Sequence, residues 1–170
     1  MHARSKPLSA AAVDAAYRLV YRIAFRLLRG WWLLRRPDHA GAIIAVWVEG
    51  RVLLVRQSYR ATLTLPGGGI GRGETARAAA QRELAEEVGL VADETALAFA
   101  RDWAGWWDHR RDRVAIFELR LSTMPPLRLD QREIVDAVLL TPEEALARPL
   151  PPFVRGYLED GIRKAPSGVP

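Results

Sequence analysis

From residue 11 to residue 34 the chain runs without proline, and Arg18, Arg22, Arg26 and Arg29 recur at spacings of four, four and three. That spacing predicts a helix with one arginine stripe. Its other faces carry Val13, Tyr17, Leu19, Val20, Tyr21, Ile23, Phe25, Leu27 and Leu28, followed by Trp31 and Trp32. So broad an apolar surface requires a cover. Arg36, Pro37 and Asp38 then break the pattern, because a residue before proline is pushed out of helical geometry.

Beyond the break, apolar runs at 42–48 and 52–55 flank Glu49, Gly50 and Arg51, which predicts a β-hairpin. A short extended piece at 62–65 leads into Pro66 and a glycine-rich loop. A helix is predicted from about Thr75 to Val88, stopped by Gly89. Strands are predicted at 97–103, 113–121 and 134–140. Thr141, Pro142 and Glu143 read as an N-cap, a first-turn proline and a first-turn carboxylate. A short helix to Ala147, another around 154–162 and a proline-bearing tail finish the chain.

Length and composition restrict this pattern to one compact core, since 170 residues with 49% hydrophobic content suit a single domain. The expected division is a basic amphipathic arm at 1–38 and a catalytic domain at 39–170. The net charge of +5 is concentrated in the arm, where Arg4, Lys6, Arg18, Arg22, Arg26, Arg29, Arg35 and Arg36 face only Asp14 and Asp38. The rest is nearly neutral, so specific nucleic-acid binding is not expected. Without cysteine, disulfides and thiolate metal sites are excluded, and hard cations held by oxygen come first. Arginines interrupt the arm too often for a signal peptide or a membrane span, which points to a cytoplasmic protein. An arginine-rich, acid-poor start also suits a mitochondrial presequence. Of 25 basic residues 23 are arginine, a bias towards a GC-rich bacterial source.

The candidate chemistry lies in GGIGRGETARAAAQRELAEEVGL, where Glu83, Glu86 and Glu87 fall within one arc of the helix and Leu84 and Val88 point elsewhere. Clustered glutamates are usually a solvated acidic face. Here, however, like charges so close raise one another's pKa unless a cation sits among them. Gly67, Gly68, Gly69, Gly71 and Gly73 let backbone approach an ion or a phosphate, Glu74 enters the first turn, and Arg82 stands one turn before Glu86.

Gly68, Glu74, Arg82, Glu83, Leu84, Glu86, Glu87, Gly89 and Leu90 match the Nudix box, G-x5-E-x7-R-E-U-x-E-E-x-G-U, at every position. The domain therefore resembles the Nudix (MutT-like) hydrolases over about residues 40–150. The resemblance implies an α/β/α sandwich on a mixed sheet, to which the N-terminal amphipathic helix is an addition. It implies Mg²⁺ or Mn²⁺ held by Glu83 and Glu87, with Glu86 a further ligand or base and the Gly68 carbonyl a ligand. Arg82 would orient the carboxylates and Glu74 support the loop. The implied activity is hydrolysis of a phosphoanhydride, in which the cation neutralises diphosphate charge and activates a water. Members often take another glutamate from beyond the box, and Glu133 is the candidate. A surface glutamate at a strand end is its ordinary alternative.

Trp103, Trp106 and Trp107 with Arg101, Arg110, Arg111 and Arg113 form an aromatic and basic cluster that can stack a base and bind phosphate. Packing in the core or against the N-terminal helix is the alternative for the tryptophans. Trp103, Trp107, Arg56 and Arg60 are the candidate substrate-binding residues. No proline stands about fifteen residues past the box, and Trp107 occupies the approximate place of the dinucleoside polyphosphate tyrosine. The expected substrate is a nucleoside diphosphate derivative or nucleoside triphosphate, against the alternative of a non-catalytic nucleotide sensor. The arm either packs on its own domain, pairs with a second copy in a homodimer, or lies on an anionic membrane.

Overall fold

A computed structural model describes residues 8–164. Arg4 and Lys6 of the basic arm, and the tail from residue 165, lie outside the described residues. A long helix, α1 (Leu8–Arg35), precedes β1 (Asp38–Val48) and β2 (Arg51–Gln57), the short strands β3 (Leu63–Thr64) and β4 (Gly67–Gly69), and helix α2 (Ala76–Val88). Then follow β5 (Ala98–Trp107), β6 (Arg110–Leu121), β7 (Ile134–Leu140), α3 (Pro142–Leu146) and α4 (Pro152–Lys164).

The strands form one mixed sheet in the order β3-β2-β1-β6-β5, with β4 paired to β1 and β7 to β2. β1 and β6 run parallel, and the other pairs are antiparallel. Alternation along β1 sends Ala42, Ile44 and Val46 towards α2, where Ala79, Ala80, Leu84 and Val88 meet them. Ile43 and Ala45 point to the opposite face, where Val154, Tyr157 and Leu158 of α4 pack. The result is the α/β/α sandwich implied by the resemblance. Because both faces are covered, the middle of β1 is a continuous apolar run.

Two turns depart from the sequence reading. Glu49 and Gly50 alone close the first hairpin, with φ of 49° and 76°, the left-handed pair that matches strand twist. Asp108 and His109, at φ 51° and 67°, close a second tight hairpin. β5 and β6 therefore run to Trp107 and from Arg110, beyond the predicted ends at 103 and 113. The tryptophan and arginine segment carries no glycine or proline at its turn, so it offered no breaker to read.

α1 meets the domain by one side only. Its arginine stripe and one aromatic edge, rather than its broad apolar surface, meet the domain. Arg18 Nε donates to the Gln131 carbonyl at 2.9 Å and Arg22 Nε to the Ser58 carbonyl at 3.0 Å, while Arg29 pairs with Asp108 at 2.5 Å. Tyr21 and Phe25 lie 6.3 and 4.8 Å from Tyr59, ring centre to ring centre. Trp32 is buried under the Arg110 guanidinium, 4.1 Å away. The Gln131 and Ser58 carbonyls and the Asp108 carboxylate attract the guanidinium groups, which leaves the opposite apolar side of the helix bare. Among the described residues no helix is long and apolar enough to cross a membrane.

Candidate active site

The capped ends of α2 fix where its glutamates stand. Thr75 Oγ1 accepts from the Ala78 amide at 3.1 Å, and Gly89, at φ 72°, donates back into the last turn. Glu83 and Glu87 then face strand β4. The Gly67 amide donates to Glu87 Oε2 at 2.9 Å, and the Glu83 carboxylate lies so close to Gly68 that a Cβ there would sit 2.5 Å from its Oε1.

Burial pushes the Glu87 carboxyl well above the usual carboxylate range. The Gly67 amide opposes this shift, and the Glu133, Glu83 and Asp130 charges add to it. Burial likewise raises Glu83, against the pull of Arg82 and with repulsion from Glu86 and Glu133. Arg82 binds Glu74 at 2.9 Å, Glu83 at 2.7 Å and Glu86 at 3.2 Å, and also donates to the Gly69 carbonyl at 3.2 Å. Glu74 closes the loop by accepting from the Gly71 amide at 2.8 Å. Arg82, followed by that amide, holds its carboxyl below the usual range. Among the described residues no three acidic or imidazole side chains gather around one point as they stand. Arg82 supplies the positive charge between Glu83 and Glu86, the latter being largely exposed.

Glu83, Glu86 and Glu87 line a cleft of about 730 Å³ that also takes in Gly68, Arg60, Trp107 and Glu133. Glu133 enters from the loop before β7, where its Oε1 accepts from the Tyr59 hydroxyl at 2.7 Å. Burial and this carboxylate together raise the Tyr59 pKa, so the phenol stays a donor. Arg60 ion-pairs with Asp108 at 2.8 Å and lies 4.4 Å over the Phe25 ring.

Two of the candidate substrate-binding residues stand elsewhere. Arg56 is exposed on β2 and reaches across to Asp136 of β7 at 3.5 Å. Trp103 packs edge-on against Phe153 of α4 at 5.5 Å. Neither lines the cleft. Trp107 meets the same Phe153 at 6.5 Å and does line it.

Two further cleft residues, His39 and Asp112, carried no sequence signal. His39 Nδ1 is 3.0 Å from Asp112 Oδ1, and Arg110 Nε is 2.8 Å from the same atom. Asp112 is 1% exposed. Histidine and aspartate are far apart in sequence and meet because β1 and β6 pair with His39 opposite Asp112. Phe25, Leu28, Trp31 and Trp32 of α1 supply an aromatic and aliphatic wall.

A family model for the NUDIX domain matches residues 37–160. An RNA pyrophosphohydrolase of Sodalis glossinidius is 44% identical over 62 residues, covering 36% of this chain and 35% of that protein. The match thus spans about a third of the relative's length. A MutT protein from Methanosarcina mazei superposes with a TM-score of 0.68 at 20% identity, covering 78% of this chain and 98% of that one. The dihydroneopterin triphosphate pyrophosphohydrolase of E. coli gives 0.65 at 20% identity, with 74% and 96% covered. The NUDIX domain of Shewanella oneidensis NrtR, solved with ADP ribose, gives 0.65 at 16% identity, with 75% and 88% covered. At these identities the structural likenesses show the fold.

Proposed function

The chain belongs to the NUDIX domain family, and we propose that it is a Nudix-type hydrolase that uses Mg²⁺ or Mn²⁺ to cleave a phosphoanhydride bond in a nucleoside diphosphate derivative or nucleoside triphosphate. The observation that carries this reading is the seam between α2 and β4, where the Gly67 amide holds Glu87 and Gly68 makes room for Glu83. Two carboxylates whose charged forms are disfavoured by burial gain from a cation beside them. The donors are all hard oxygens, which fits Mg²⁺ or Mn²⁺.

Glu83, Glu87, Glu86 and the Gly68 carbonyl would hold the ion. When bound it neutralises diphosphate charge and lowers the pKa of a water. Arg82 orients the carboxylates, and Glu74 ties Arg82 to the glycine loop. Glu133, steadied by Tyr59, stands across the cleft as an acceptor for the water proton. Arg60, which lines the cleft, would meet phosphate, and Trp107 with the α1 wall would offer surface to a base. Arg56 and Trp103, outside the cleft, have no part in this reading.

The test is a panel of nucleotide sugars, dinucleotides, nucleoside triphosphates, ADP-ribose and 5′-triphosphorylated RNA, with Mg²⁺ or Mn²⁺. Release of a nucleotide and a phosphorylated product is expected for at least one class. Glu87→Gln should reduce kcat/KM by about a hundredfold or more, and Glu133→Gln should lower kcat. Tight nucleotide binding with no turnover on any class would make the chain a sensor instead.

A further inference from the structure

We infer that the outer face of α1 docks the protein on an anionic lipid bilayer. At 100° per residue, the side of α1 turned away from the domain forms an arc of roughly 120°. From Ala12 to Leu34 that arc holds Leu19, Val20, Ile23, Leu27, Trp31 and Leu34, with alanine, valine and glycine between them. Leu27 is 71% exposed and Leu34 83%. The domain has no further claim on this strip, since α1 already meets it through Tyr21, Phe25 and Trp32 on the opposite side. The helix extends about 42 Å, and an uncharged apolar strip of that length is costly to leave in water.

Charge selects the occupant. Of the five arginines of α1, Arg18, Arg22 and Arg29 are held by the domain, which leaves Arg26 and Arg35 outside, and its one acid, Asp14, is 8% exposed and reaches Arg132 on the inner side. Arg26 flanks one edge of the strip and Arg35 the other, and Arg36 follows at its end. Self-association through this face would bring Arg26 and Arg35 against their copies with no acid on the outer side of α1 to answer them. A bilayer with anionic headgroups answers both features: the aliphatic strip enters the acyl boundary, Trp31 sits at the interface, and the arginines reach phosphate. A second contact point adjoins the first. Trp106, 55% exposed near the β5–β6 turn with Arg111 at 5.6 Å, shares a shallow depression with Leu33 and Arg36.

Flotation of the full chain tests this without reference to turnover. The wild type should float with vesicles of phosphatidylcholine and phosphatidylglycerol, and about tenfold less with phosphatidylcholine alone or in high salt. The pair Val20→Asp and Leu27→Asp should abolish flotation. The milder pair Val20→Ser and Leu27→Ser should weaken it about tenfold with unchanged circular dichroism. Wild-type protein left unbound by anionic vesicles would overturn the inference, as would aspartate variants that float like wild type. Light scattering that shows a lipid-free dimer, converted to monomer by the serine pair, would assign the face to a second copy instead.

Discussion

A side-chain carbon at Gly68 would sit 2.5 Å from Glu83 Oε1, so the bare backbone is what allows the carboxylate to lie against β4. Gly68→Ala moves a flexible carboxylate end rather than backbone. The variant should therefore fold, with a thermal midpoint near wild type, and lose about ten- to a hundredfold in kcat, as changes in the support of a ligand do. Full activity would remove Glu83 from the mechanism. At this scale the acidic residues of α2 were readable because their spacing is local and a helix fixes their relative positions. Glu133 was placed only by its position before a strand, and the Tyr59 hydroxyl that holds it was not anticipated. His39 and Asp112 were unreadable because strand pairing alone brings them together. Arg56 and Trp103 lie outside the cleft for a related reason, since residue type names a chemistry but not the face on which it lands.

Among the elements, α2 carries both signal types in one segment, a capped start and stop and a buried aliphatic face, and its observed limits agree with the sequence reading. Its stability should divide accordingly. Thr75→Ala removes one capping bond and should cost about 1 kcal/mol. Leu84→Ala empties a fully buried site and should cost about 2–5 kcal/mol. Equal urea midpoints for the two variants would contradict that division. The β5–β6 hairpin is the opposite case. Its Asp108–His109 turn uses left-handed backbone without glycine, with Trp106 and Trp107 before it and Arg110, Arg111 and Asp112 after it, so periodicity located the strands but not their ends. For α1 the periodicity gave the helix correctly. It could not say which side would meet the domain, because Ser58, Gln131 and Asp108, which bind its arginines, come from distant loops.

For the molecule as a whole, the raised pKa values of Glu83 and Glu87 set how the metal-free fold responds to pH. The folded protein keeps protons that the unfolded chain releases above about 4.5. Stability from these groups is therefore greatest below that pH and declines as pH rises through the raised folded values. The metal-free thermal midpoint should fall as pH rises above the ordinary glutamate range. Mg²⁺ should restore it, by about 2.7 kcal/mol at a hundred times its Kd, and Glu87→Gln should flatten the metal-free profile. A midpoint independent of pH, with Mg²⁺ giving no gain, would show that these carboxylates neither resist ionisation nor bind the ion. The linear chain contained the order of helices and strands and the glycine-acid segment of the NUDIX family. Those follow from local periodicity, caps and residue chemistry. Folding supplied the rest: which carboxylates are buried, which tryptophan lines the cleft, and how α1 becomes both wall and outer surface. These depend on contacts between segments far apart in sequence, and burial and electrostatic strength arise only from such contacts.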